Sequence, residues 1–156
     1  MSSISDYVRF AQEACMLFSL ENYTSKFVEK ETVKKHYFVD NGLLGIFLLN
    51  GDTALLENLC AVHLRRRYGD NVYFYNKNVE VDFFVPDESY AVQASYSIYG
   101  ESMEETFERE TKALKLLDAF VPMRRMVIVT YDEEGTVSLD NGKQIEVVPA
   151  WKWLLE

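Results

Sequence analysis

Asp82, Gln93 and Ser95 are the residues whose types and spacing first suggest chemistry. They fall on two consecutive strand-like runs, Val79–Val85 and Tyr90–Ser97, separated by the stop at Pro86. Period-two alternation sets Val79, Val81, Phe83 and Val85 on one face of the first run and Glu80, Asp82 and Phe84 on the other. In the second run Gln93, Ser95 and Ser97 share a face, opposite Val92, Ala94 and Tyr96. Paired as neighbours, the two runs bring a carboxylate beside an amide and a hydroxyl. A further acid, Glu57, heads a helical stripe of Glu57, Cys60, Ala61 and Leu64, next to a main apolar stripe of Leu55, Leu59 and Val62. A glutamate heading such a stripe is an odd occupant of a solvated face, so Glu57 is the acid expected to point at something. The plainer alternative, a wet sheet face with a solubilising glutamate, stays open at this point.

Composition excludes several other chemistries. Twenty-five acids against sixteen bases give a formal charge of -9, which argues against a chain that coats nucleic acid or an anionic membrane through bulk charge. Arg65-Arg66-Arg67 could touch phosphate, but in the last turn of a helix three cations also favour the macrodipole. Cys15 and Cys60 make no disulfide framework, so a reducing cytosol is the default compartment. His36 and His63 lack zinc-site spacing, and His63, beside the apolar stripe, reads as a packed histidine. The longest apolar run, Leu43–Leu49, is too short to span a bilayer. Asp6, Arg9 and Glu13 within the first twenty residues do not fit a secretory signal. No Gly-x-x-x-x-Gly-Lys-Ser/Thr loop is present.

The elements that must position the acids follow from periodicity and punctuation. Residues 4–16 read as a helix, His36–Val39 as a strand, and Leu43–Leu49 as a short apolar helix, together forming an extension over residues 1–50 with Val8, Cys15, Leu44 and Phe47 buried. Asp52 or Thr53 is placed to cap a helix running to Tyr68, with Gly69 just past its end. Asn71–Tyr75, Val79–Val85 and Tyr90–Ser97 are three successive strands. Ser102-Met103-Glu104-Glu105 has the capping-box pattern that opens a helix ending before Pro122. Met126–Tyr131 reads as a buried strand, and Asp140-Asn141-Gly142 as the turn of a hairpin between Thr136–Leu139 and Gln144–Val148. Trp151 and Trp153 are expected to lock a last helix to the body, and Asp132-Glu133-Glu134 to be a solvated turn. The fold class is therefore α/β, a mixed-sheet sandwich in which three antiparallel strands are followed by a helix crossing back to a further strand.

Several segments resemble one known family. They are Leu55-Leu56-Glu57-Asn58, Val79-Glu80-Val81-Asp82-Phe83, Val92-Gln93-Ala94-Ser95-Tyr96-Ser97, Glu108-Arg109-Glu110-Thr111-Lys112-Ala113-Leu114 and the closing Val148-Pro149-Ala150-Trp151-Lys152-Trp153-Leu154. Tyr37-Phe38-Val39-Asp40-Asn41-Gly42-Leu43-Leu44 also matches the stretch before that core. The family is the C-terminal domain of unknown function of prokaryotic AAA-type ATPases, in the PD-(D/E)xK, restriction-endonuclease-like nuclease superfamily. The resemblance implies a nuclease-like domain over residues 51–156, with residues 1–50 packed on it.

That superfamily performs metal-assisted phosphodiester hydrolysis. A helix glutamate and a strand aspartate hold magnesium, and the next strand brings an acid and, two residues on, a lysine. Carried over here, Glu57 and Asp82 are the first two acids, while Gln93 stands at the third and Ser95 at the lysine position. Gln93 removes a negative charge from the magnesium set of Glu57, Asp82 and Gln93, and Ser95 cannot supply a cation. Lys112 on the following helix is the nearest replacement lysine by pattern. The resemblance thus implies a degenerate, non-catalytic accessory domain that binds a partner or nucleic acid. The alternative is a divalent-metal-dependent DNA nuclease with a rearranged site. Relatives carry an ATPase domain before this region, so an AAA-type ATPase domain, in cis or in trans, is the expected partner, with DNA as a second. The chain is expected to be either a fragment of such an ATPase or a stand-alone relative.

Overall fold

The structure, a computed structural model, describes residues 3–24, 33–48 and 51–156, without the side chain of Phe47. The expected burial of Phe47 lies outside the described residues. Thirteen elements follow in order: α1 (Ile4–Glu13), β1 (Leu17–Glu21), β2 (Lys34–Phe38), α2 (Asn41–Phe47), α3 (Asp52–Tyr68), β3 (Tyr73–Asn76), β4 (Glu80–Val85), β5 (Tyr90–Ala94), α4 (Glu104–Phe120), β6 (Arg125–Thr130), β7 (Gly135–Ser138), β8 (Gln144–Pro149) and α5 (Ala150–Trp153). A 3-10 turn over Pro86–Glu88 joins β4 to β5. No helix among the described residues is long and apolar enough to cross a membrane.

Six strands form one mixed sheet in the order β3-β4-β5-β6-β8-β7. The first three are an antiparallel meander; α4 then carries the chain over to β6, which runs parallel to β5. The Asp140-Asn141-Gly142 turn folds β7 and β8 into the expected hairpin, with Gly142 in the left-handed region at φ 80. β8 pairs parallel to β6, and β7 forms the edge.

The sheet is covered on both faces. On one, Leu56, Cys60, Ala61 and Leu64 of α3, with Leu20, Tyr37 and Trp153, pack on Phe74, Phe83, Val92, Val127 and Val129. On the other, Ala113, Leu114 and Leu117 of α4 pack on Tyr75, Val81, Phe84, Ala91, Met126 and Ile128. β6 alternates between the two cores, which is why its sequence is a continuous apolar run.

Local chemistry departs from the sequence expectation at several points. Asp52 is the first residue of α3 rather than its cap; Gly51 precedes it and accepts the Leu55 N–H. At the other end Gly69 closes the helix at φ 60, as expected, with Arg65, Arg66 and Arg67 in the last turn. The Ser102 capping box does not form. A turn from Gly100 to Met103 starts α4 one residue later, leaving Glu104 and Glu105 in its first turn, where the helix dipole favours acids. In α3 the buried side chains are Leu56, Asn58, Cys60, Ala61 and Leu64; Leu55, Leu59 and Val62, the expected main stripe, are only half-buried.

The extension is tied down differently from expectation. Val8 and Leu44 are half-buried, and Cys15 is exposed at the end of α1 with φ 55. The anchors are polar. Asn58, 2% exposed on α3, accepts the Phe38 N–H at 2.8 Å and donates to Phe38 O at 3.0 Å and to Asn41 Oδ1 at 2.8 Å. Its amide therefore completes the end of β2 as a neighbouring strand would. Asn22 does the same at the sheet edge: it donates to Asn76 O at 2.7 Å and accepts the Asn76 N–H at 3.1 Å, beside a single parallel bridge between Asn22 and Phe74. At the other terminus Trp153, of the two tryptophans, is the one that locks α5 down, donating to the Tyr90 hydroxyl at 2.6 Å, while Trp151 points outward. His63 packs its ring 4.6 Å from that of Trp153, as a packed histidine should.

Removing the Asn58 amide would leave backbone groups of Phe38 without this partner. Asn58→Ala is therefore expected to cost about 2–4 kcal/mol, read as a lower midpoint in urea unfolding. Deletion of an exposed polar side chain on the same helix, Arg66→Ala, should change it by less than about 0.5 kcal/mol.

Candidate functional site

The site is organised by an irregularity in β4. Tyr73 of β3 lies opposite Phe84, but Tyr75 lies opposite Val81, so β4 carries one extra residue between these pairs. This bulge, at Asp82 and Phe83, reverses the alternation. Val79 and Val81 face α4, whereas Phe83 and Val85 face α3. The four residues expected on one face are thus divided between two.

The bulge also lifts β4 away from β5, whose ladder stops at the Phe83–Val92 pair. Gln93 fills the gap with its side chain. Its Oε1 accepts the Asp82 N–H at 2.6 Å, and its Nε2 donates to Glu80 O at 3.3 Å and to Glu110 Oε2 on α4 at 2.6 Å. These three bonds fix the amide's orientation and explain why an amide stands here. A carboxylate could accept from Asp82 but not donate to the other two. Arg109 holds the other oxygen of Glu110.

Asp82, released from the regular ladder, meets a cation that sequence reasoning missed. Lys35 on β2 places Nζ 3.1 Å from Asp82 Oδ1, 2.6 Å from Glu80 Oε1 and 3.5 Å from Glu57 Oε1. Asp82 Oδ2 accepts the Ala94 N–H at 3.1 Å, the Tyr37 hydroxyl donates to Glu57 Oε1 at 2.8 Å, and Asn76 donates to Glu80 Oε2 at 3.3 Å. Burial works against the charge on Lys35, but Asp82, Glu80 and Glu57 outweigh it and raise its pKa. Burial pushes Asp82 up from 3.8 to about 6, with Lys35 opposing and Glu57 reinforcing the shift. The phenol of Tyr37 is raised by its own burial and by Glu57.

Glu57, Asp82 and Gln93 do line one cleft, of about 710 Å³, at the carboxyl end of β5. Their arrangement does not fit a magnesium ion. Both Asp82 oxygens and Gln93 Oε1 are already accepting hydrogen bonds, and an ammonium lies among the acids. No group of three or more His, Cys, Asp or Glu side chains among the described residues is arranged to hold a metal. Ser95 is buried outside the cleft lining and donates to Ser97 O at 3.1 Å. Lys112 lines the cleft but pairs with none of these acids among the described residues. Glu80 and Lys35 are the members not anticipated. The signal for Lys35 was its i, i+2 relation to Tyr37, which places a lysine on the inward face of a strand.

The comparisons with known proteins identify one relative and assign no function. The chain is 30% identical, over 97% of its own length, to an uncharacterised protein of Methanocaldococcus jannaschii, and spans 36% of that protein's length. No known protein family and no solved structure matches it.

Two measurements test the site's electrostatics. Asp82 is raised in the folded state, so its contribution to stability is greatest below pH 3.8 and is lost as pH climbs to about 6. Wild type should lose on the order of 3 kcal/mol relative to Asp82→Asn across that interval, measured by urea unfolding at stepped pH; a difference flat with pH would refute the assignment. Gln93→Glu should destabilise by about 2–4 kcal/mol at neutral pH, because it loses two donor bonds and faces Glu110. Acidification should partly restore it.

Proposed function

We propose that this chain is a non-catalytic, nuclease-like accessory domain, resembling the C-terminal region of prokaryotic AAA-type ATPases, that works by binding a partner. The reading is supported by the order helix, three antiparallel strands, helix and parallel strand, which is the core order of the restriction-endonuclease-like superfamily. One observation carries it: the Lys35 ammonium lies within 3.5 Å of Glu57, Glu80 and Asp82. A protein cation stands among the carboxylates that would otherwise attract a metal. Nucleic acid is the weaker partner, since carboxylates dominate the cleft lining and would repel phosphate. An ATPase domain, in cis or in trans, is the proposed partner. A relative of which the matching segment is 36% supports an accessory role within a larger protein.

A second reading is favoured by one feature of the same geometry. Lys35 sits 3.1 Å from Asp82, beside Glu57, so it could stand in for the lysine that Ser95 does not provide. The chain would then be a metal-dependent nuclease with its lysine brought in by the extension, and Lys35, not Lys112, would be that residue.

The two readings separate in a cleavage assay with plasmid and single-stranded oligonucleotide. Wild type is expected to show no magnesium-dependent cleavage and little magnesium binding by calorimetry. Lys35→Ala should bind magnesium about tenfold more tightly or better, because three carboxylates lose their internal counter-ion. Cleavage by the wild type that both Asp82→Ala and Lys35→Ala abolish would establish the nuclease instead.

A further inference from the structure

The carboxyl ends of the parallel strands open onto a second depression, on the other side of the first turns of α3. β5 leads into Tyr96, β6 into Tyr131 and Asp132, and β8 into Trp151, and these line a groove of about 600 Å³ with Leu55 and Leu59 of α3. Crevices beyond the carboxyl ends of strands are where open α/β sheets take ligands. Leu55 and Leu59, two of the three residues of the expected apolar stripe of α3, face this groove rather than the core, which is why they are only half-buried. Trp151 is 63% exposed and Tyr131 56%, and Tyr131 stacks on Tyr96 with centroids 4.9 Å apart and planes 13° from parallel.

The charge at this surface has one sign. Asp52 and Asp132 line the groove, and among the described residues no lysine, arginine or histidine does. Neither carboxylate has a hydrogen-bond or ion-pair partner among the described residues. The segment around Asp132 is held in place by its neighbour. Glu133 is not the solvated turn residue expected from sequence; it accepts from Ser97 Oγ at 2.6 Å and from the Ile98 N–H at 2.7 Å. The aromatic pair and the acid therefore sit on a fixed rim.

We propose that this groove docks an amphipathic, lysine- or arginine-bearing segment of a partner polypeptide. Its apolar side chains lie against Leu55, Leu59 and Trp151, and its cation lies between Asp132 and the face of the Tyr131–Tyr96 pair. Charge complementarity selects this occupant: the rim offers carboxylates and aromatic faces, both of which attract a cation. A nucleic acid would find aromatic rings for its bases to stack on but carboxylates facing its phosphates. The inference rests on the accessory-domain reading solely in requiring a partner, and its test involves no cleavage, so each can fail without the other.

The probe is a fluorescein-labelled amphipathic peptide of leucine and lysine, alongside its counterpart with glutamate in place of every lysine. Binding is followed by anisotropy, and with unlabelled peptide by tryptophan emission, in which Trp153 is buried and Trp151 reports. The lysine peptide should bind and shift Trp151 emission, and the glutamate peptide should not. Trp151→Ala and Asp132→Lys should each weaken binding by about tenfold. Glu88→Lys, the same charge change in the turn between β4 and β5 at the opposite end of the sheet, should leave it within about twofold, since single rim charges away from a contact matter little. Absence of binding, equal binding of both peptides, equal effects of Asp132→Lys and Glu88→Lys, or tighter binding of oligothymidylate than of the lysine peptide would overturn the proposal.

Discussion

A lysine ammonium withdrawn from water must recover its hydration from protein oxygens, at a cost of several kcal/mol if it does not. Lys35 recovers it from Glu57, Glu80 and Asp82, and much of the central architecture follows from that requirement. Glu57 comes from α3 and both other acids from β4. Bringing Asp82 to the same side as Glu57 requires β4 to gain a residue, because strict alternation would put Asp82 on the face of Phe84, against α4. The bulge that supplies the residue interrupts the β4–β5 ladder, and the Gln93 amide restores its hydrogen bonds. The amide's second hydrogen needs an acceptor on the other face, which Glu110 provides, and Arg109 balances Glu110. A single polar path thus runs from the extension through the sheet to α4.

The first turns of α3 divide two depressions of opposite character. Glu57 and Thr53 face the polar cleft, where Glu57, Glu80 and Asp82 are paired with Lys35 and Glu110 with Arg109. Asp52, Leu55 and Leu59 face the apolar groove, whose acids have no such partner among the described residues. Internal pairing lets the first hold elements of the fold together, and exposed aromatics with unpaired acids make the second the surface proposed for docking. The ion-paired acids and the proposed docking groove thereby occupy neighbouring but separate surfaces.

The sequence made the sheet legible because its signals are local and short-ranged. Val-rich alternation defined β4 and β5, Pro86 separated them, the Asp-Asn-Gly turn defined the β7–β8 hairpin, and the unbroken apolar run of β6 required cover on both faces. Glu57 and Asp82 were legible as acids out of place. What escaped was anything set by one extra residue or by distant pairing. The bulge moves Val81 to the opposite face from Phe83 with no change in residue type to announce it. Lys35 precedes the run read as a strand by one position, and its three partners lie between 22 and 47 residues downstream. Gln93 read as a lost acid because its neighbour across the sheet, Glu110, is visible only in three dimensions. Leu55, Leu59 and Val62 were read as the main apolar stripe of α3 and are half-buried, since periodicity reports which residues share a face and not what covers it.

The Asn22 clasp on β3 has a consequence for self-association. An open sheet ordinarily presents two rows of backbone groups to which further strands can add. Here one row is partly occupied from within: the Asn22 amide takes both the N–H and the C=O of Asn76, and the Tyr23 N–H takes the carbonyl of Phe74. The other margin of this six-stranded sheet is β7. Edge pairing between copies through this sheet is therefore expected at β7, because at β3 an added strand must first displace two consecutive residues of the extension.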